Sequence, residues 1–134
     1  MTLLVVDASA LVAALADGGP AGAAAAGSLA THELAAPELL PFEVANVLRR
    51  LELAGRISAE TAALAHSDLI DLPVQLWPYA ALASGAWQLR GSLTLYDAAY
   101  VRLAAQLGVP LVTIDQRLAR TASSSCQVVV PGVD

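Results

Sequence analysis

Four carboxylates stand at positions where an acid could do chemistry. Asp7 ends the apolar run Leu3-Leu4-Val5-Val6, and Asp115 ends a second, Leu111-Val112-Thr113-Ile114. Asp97 opens a helical pattern that runs to Leu107 and is closed by Gly108. Glu43 lies at the margin of an apolar stripe in which Leu40, Val44, Val47, Leu48 and Leu51 recur at helical spacing. Crowded carboxylates repel, and some would take up protons at neutral pH. A divalent cation removes that repulsion. Oxygen ligands without Cys or His favour Mg²⁺ or Mn²⁺. Such ions can activate water and stabilise the departing oxygen of a phosphodiester.

Each acid also has a plainer reading. Asp7 could simply cap the helix after it, and Asp115 the turn at Gln116. Asp97 fits the acidic position of a capping box that begins at Thr94. Glu43 could be a solvated helix residue. Taken together the four are harder to dismiss. Two end apolar strands, one starts a helix, and one edges a buried face.

Chain lengths suggest how two of them meet. A helix over 97–107 travels ~16 Å at about 1.5 Å per residue. A strand over 109–114 returns ~20 Å at about 3.3 Å per residue. Asp97 and Asp115 therefore finish on the same side of the molecule.

The elements that must position the acids read as alternating strands and helices. The run at 3–6 is apolar without alternation, as in a strand buried on both faces. Helices are expected over Ala8–Ala16, over Pro20–Ala30, and up to Ala54 with Pro41 in the first turn. Further helices are expected over Ser58–Ile70, with Ser58 as N-cap, and over Tyr79–Arg90. Short strands are expected at Leu34–Ala36, Val74–Leu76 and Gln127–Val130, and a single helical turn at Gln116–Arg120. The alternation argues an α/β domain with a parallel sheet. Sites in such sheets lie beyond the carboxyl ends of strands where strand order reverses. Asp7 and Asp115 both occupy strand ends.

Composition removes several alternatives. With 134 residues, 57% of them hydrophobic and 14% charged, the chain suits one compact domain over 1–134. A net charge of −5 argues against a broad basic nucleic-acid surface. All seven basic residues are arginines, so a P-loop lysine and Schiff-base chemistry are excluded. Cys126 is the only cysteine, which rules out an intrachain disulfide and a cysteine-built zinc site. His32 and His66 are not in metal-ligand spacing. The apolar N-terminal stretch has no preceding positive charge and contains Asp7, so it is not read as a targeting signal, and no membrane span is expected. A reducing, cytoplasmic setting is the expectation.

Four segments together resemble a known family. They are Val6-Asp7-Ala8-Ser9, Pro41-Phe42-Glu43-Val44-Ala45-Asn46-Val47-Leu48, Leu95-Tyr96-Asp97-Ala98-Ala99-Tyr100, and Leu111-Val112-Thr113-Ile114-Asp115-Gln116-Arg117-Leu118. In their order and spacing the chain resembles a PIN-domain ribonuclease, specifically a VapC-type toxin of a bacterial toxin–antitoxin pair. The resemblance implies a three-layer α/β/α fold around a parallel sheet of about five strands. It implies Mg²⁺-dependent endonuclease cleavage of RNA, with Mn²⁺ as a substitute ion. It makes Asp7, Glu43, Asp97 and Asp115 the catalytic and metal-binding acids, with Ser9, Asn46 and Thr113 in support. It further implies a small cognate antitoxin, and a homodimer as is usual in the family. Arg50, Arg102, Arg117 and Arg120 are candidates for contact with flanking RNA phosphates. For each of them a solvated surface position is the plain alternative. Two rival functions remain: a catalytically inactive PIN-like interaction module, and a DNA-directed nuclease with the same metal chemistry.

Overall fold

The computed structural model describes residues 2–133. Among these, five short strands form one parallel sheet: β1 (Leu3–Val6), β2 (Glu33–Pro37), β3 (Val74–Trp77), β4 (Leu111–Val112) and β5 (Val128–Val129). Seven helices connect them: α1 (Ala8–Ala16), α2 (Pro20–Leu29), α3 (Leu40–Leu53), α4 (Ala59–Asp71), α5 (Tyr79–Gln88), α6 (Leu95–Leu107) and α7 (Gln116–Ala122). The spatial strand order is β3-β2-β1-β4-β5. The chain first builds outward from β1 to β3, then crosses back to add β4 on the other side of β1.

Right-handed crossovers put helices of the first excursion on one face and those of the second on the other. The packing agrees. Helix α1 packs on α2, α3 and α4, while α6 packs on α5 and on β1, β2 and β4. The result is the three-layer arrangement, with the sheet as the middle layer.

The central strands carry apolar residues without alternation because both faces are covered. Val5, Val6, Ala35, Ala36, Leu111 and Val112 are essentially inaccessible. Each fully buried Val or Leu contributes roughly 1.5–3 kcal/mol relative to exposure. Helix α6 is buried over most of its circumference, through Ala98, Ala99, Tyr100, Val101, Leu103 and Ala104. Its small residues let it sit close against the sheet. Gly108 ends it with φ +66°, the left-handed cap that glycine adopts without a Cβ penalty.

Most element boundaries fall within one residue of the sequence reading, and four elements differ by two residues, for physical reasons. Helix α6 begins at Leu95 because the Thr94 side chain caps it by accepting from Asp97 N. The expected strand over 109–114 is only Leu111–Val112. Pro110 has no N–H to pair, and beyond Thr113, whose N–H still reaches Val129 O, the backbone donors turn to side chains: Ile114 N to Ser9 Oγ and Asp115 N to Thr113 Oγ1. Helix α7 is longer than one turn and reaches Ala122, anchored by buried Leu118 and Ala122. Helix α5 ends at Gln88, two residues short of Arg90, and Arg90 instead covers the Trp87 ring at 4.7 Å.

Candidate active site

Strand order reverses between β1 and β4, so the crevice of the sheet opens above their carboxyl ends. Val5 pairs with Leu111 and Val6 with Val112. One residue further along, Asp7 N donates to Val112 O at 3.1 Å. Asp7 and Thr113 are thereby delivered to the same end of adjacent strands.

Asp7 is 5% exposed, and three donors reach its carboxylate. Its Oδ1 accepts from Ser9 Oγ at 2.7 Å and from Ala10 N at 3.0 Å, and its Oδ2 accepts from Thr113 Oγ1 at 2.5 Å. Ser9 Oγ and Thr113 Oγ1 also approach to 3.2 Å. Each hydroxyl has one proton, and both protons go to Asp7. The hydroxyls in turn accept from the backbone, Ser9 from Ile114 N at 3.2 Å and Thr113 from Asp115 N at 3.0 Å. The Asp7 carboxylate therefore fixes the first turn of α1 and, through two hydroxyls, the segment from 113 to 115.

Asp115 caps α7. Its Oδ1 accepts from Arg117 N at 3.0 Å and Leu118 N at 3.1 Å, so the cap does not need Oδ2. Glu43, in the first turn of α3, is half-buried. Its Oε1 accepts from Tyr100 Oη at 2.6 Å. Asp97, in the first turn of α6, is also half-buried. The simple capping readings of Asp7 and Asp115 thus hold, and at Asp97 the cap is the Thr94 hydroxyl. None of these roles consumes the whole of the Asp115 or Asp97 carboxylate.

The acids feel one another. Burial pushes the Asp7 carboxyl above the usual carboxylate range, its three donors pull it back, and Asp115 adds a further upward push. Burial likewise raises Glu43, opposed by the Tyr100 hydrogen bond and reinforced by Asp97 and Asp7. Burial and then the charge of Asp115 raise Asp97, while Arg117 and Thr94 lower it. Burial and the neighbouring acids hold the Tyr100 phenol far above its ordinary value, so it stays protonated and acts as a donor.

Whether this donor set suits a cation has two answers. Chemically it does: oxygen ligands only, mutually repelling, at the mouth of a sheet. Geometrically, among the described residues, no group of three or more acidic, histidine or cysteine side chains is arranged so that it could hold a metal ion. A Ca²⁺-like cage is therefore not preformed. Mg²⁺ does not require one, because it keeps several waters and takes one or two carboxylates together with substrate phosphate oxygens.

The remaining candidates are scattered. Asn46 is exposed on α3. Of the four arginines, Arg117 is the one whose charge reaches the acids, through Asp97. Arg50 and Arg120 are exposed. Arg102 is half-buried, its Nε shielded from solvent without a hydrogen-bond partner. It lies on Gly85 of α5, where a Cβ would come within 2.1 Å of that Nε. Tyr100 is the residue that sequence reasoning passed over. Its signal was present: it lies three residues after Asp97, on the same side of one helix.

Residues 4–124 match the model of the PIN domain. The chain belongs to the PIN-domain family. Within it the chain is similar to the VapC proteins: it is 42% identical to Ribonuclease VapC1 of Mycobacterium tuberculosis over 92% of this chain and 94% of that one. The crystal structure of PAE2754 from Pyrobaculum aerophilum matches at 28% identity with a TM-score of 0.68, over 96% of this chain and 84% of that one. VapBC-5 of M. tuberculosis, described as a member of the VapBC family of toxin-antitoxin systems, shares the fold at 19% identity and a TM-score of 0.53, over 98% of both chains.

Proposed function

We propose that this chain is a metal-dependent endoribonuclease acting as the toxin of a toxin–antitoxin pair. The observation that carries the reading is that Asp7 and Asp115 stand past the carboxyl ends of adjacent β1 and β4, with Asp97 and Glu43 in the first turns of α6 and α3. Membership of the PIN family and the similarity to VapC ribonucleases support it.

Asp97 and Asp115 are the residues that would hold Mg²⁺ or Mn²⁺, with Asp7 behind them. The cation, when bound, would neutralise charge on the phosphodiester and activate water for attack. Asp7 holds Ser9, Thr113 and the chain leading to Asp115 in register. Glu43 keeps its Oε2 for a proton from the attacking water, because Tyr100 occupies Oε1. Arg117, whose charge reaches Asp97, would meet a flanking phosphate.

The same acid cluster suits an inhibitor. A crowded set of carboxylates is a negative focus, and an arginine fork on an antitoxin segment would pair with it while staying charged. A cavity of about 410 Å³ beside it, between α1 and the end of α3, is lined by Ser9, Val12, Leu51, Ile57 and Ile114 and would seat such a segment. A homodimer fits the exposed Ile70 of α4 and Leu76 on the edge strand β3, since unpaired edges are usually covered. The decisive experiment is RNA cleavage by the purified chain with Mg²⁺, alongside Asp97→Asn. Equal cleavage by both proteins would remove the acid cluster from the chemistry.

A further inference from the structure

The largely apolar cavity at the start of α6 has no part in the acid chemistry described above. It measures about 260 Å³ and is walled by Pro37, Leu39, Leu82, Leu95, Tyr79 and Tyr96. The two tyrosines stand at its rim, 52% and 66% exposed. Exposed aromatics over an apolar hollow are the usual means of gripping an unstacked base in single-stranded RNA.

Its position ties it to the acids. On α6, at about 100° per residue, Leu95 and Ala99 share one face and Asp97 and Tyr100 another. The first face lines the cavity, and the second turns to Glu43 and the other acids. Tyr96 falls on the ridge between them. On the other wall, Leu39 O accepts from Glu43 N at 3.0 Å, so the cavity lip and the first turn of α3 are one piece of backbone. A volume below the ~300 Å³ typical of drug-sized ligands suits a single ring system. The one charged side chain in the lining is Glu38, an acceptor fit for an exocyclic amino group.

We propose that this cavity is a nucleobase subsite. It takes the base of one nucleotide next to the scissile phosphate, between Tyr79 and Tyr96, with Glu38 favouring a base that presents an amino group. This rests on the ribonuclease reading above, and it predicts that the chain selects its cleavage position partly through one base.

Two measurements on the full chain separate the ideas. In the first, metal-free protein is titrated with each nucleoside 5′-monophosphate and with ribose 5-phosphate as the baseless control, following NMR signals of Tyr79, Tyr96 and Ala99. The subsite requires shifts with at least one nucleotide, loss of them in Tyr96→Ala, and retention in Tyr96→Phe. Shifts equal to those with ribose 5-phosphate would overturn it, even if the protein cleaves RNA. In the second, a random RNA pool is cut and the ends sequenced. Tyr79→Ala and Tyr96→Ala should flatten the preference at one position and lower kcat/KM roughly tenfold or more, the scale of one lost base stack. Glu38→Gln should change which base is favoured there. An unchanged preference in both alanine variants overturns the subsite, as does a changed oligomeric state with preference intact, which would mark the cavity as an interface between copies. Base-dependent shifts in a protein that cuts no RNA would leave the subsite standing and sink the ribonuclease reading instead.

Discussion

The Tyr100 hydroxyl donates to Glu43 Oε1 at 2.6 Å, linking the middle of α6 to the first turn of α3 across 57 positions of chain. Because the phenol is held protonated, it can only donate in this pair. It stabilises the charged form of Glu43 against burial and against Asp97 and Asp7.

Tyr100→Phe should therefore raise the Glu43 pKa further. The sign is set by the lost donor: the hydrogen bond lowers the pKa, so removing it leaves desolvation unopposed. If Glu43 works as an acceptor of a proton, the acidic limb of the cleavage profile moves to higher pH, with a loss on the order of tenfold near neutrality. Titration of Glu43 by carboxyl NMR in metal-free protein checks the shift directly. An unmoved Glu43 would show that the contact has no electrostatic consequence.

Glu43→Gln keeps an oxygen for Tyr100 and loses the charge. Activity should fall by roughly tenfold or more, while Tm changes little. Cleavage assays paired with thermal melts give the comparison. Full activity would return Glu43 to an ordinary helix residue.

Metal should be required for cleavage and should stabilise the fold. EDTA should abolish activity, and Mg²⁺ at about a hundred times its Kd should add ~2.7 kcal/mol by mass action. The raised carboxyl values carry a sign of their own. A folded-state pKa above the unfolded one gives stability at low pH that is lost as pH rises through it. Without metal, Asp97→Asn should thus raise Tm at neutral pH, and the gain should shrink as pH falls through the raised Asp97 pKa. Undiminished cleavage in EDTA by a nuclease-free preparation would falsify the metal requirement.

Thr113 is completely buried, and its hydroxyl serves both Asp7 and Asp115 N. Thr113→Val keeps the shape and strands both partners. A loss of about 1–3 kcal/mol follows from one buried polar group left unsatisfied. Denaturant unfolding measures it. A variant as stable as the parent would mean that water replaces the hydroxyl, and that Asp7 is less enclosed than its 5% exposure indicates.

An antitoxin that inserts an arginine among the acids must compete with the cation. At constant ionic strength its affinity should fall as Mg²⁺ rises, and Asp97→Asn or Asp115→Asn should loosen the complex several-fold. Calorimetry with a co-purifying partner tests both. Binding indifferent to Mg²⁺ and to the two substitutions would move inhibition away from the acid cluster.

Much of this was legible in local pattern. Continuous apolar runs at 3–6 and 111–112, helical spacing over 40–51, Pro41 in a first turn, and caps at Asp7, Ser58 and Asp115 are all consequences of nearest-neighbour backbone chemistry. They determined the α/β class and marked the acids as candidates. Strand order was not local. That β4 lies beside β1, rather than beyond β3, depends on which buried faces fit, and it is this that puts Asp7, one residue past β1, beside Thr113, one residue past β4. The shortness of β4 was also hidden, because a hydroxyl 105 positions away, that of Ser9, takes the Ile114 N–H from the ladder. In their own windows Glu43 stood out as an acid at the edge of an apolar stripe and Tyr100 only by its spacing from Asp97, and nothing there paired the two. Only packing α6 on the sheet beside α3 brought the phenol to the carboxylate, since a hydrogen bond between distant helices leaves no periodic trace in either one.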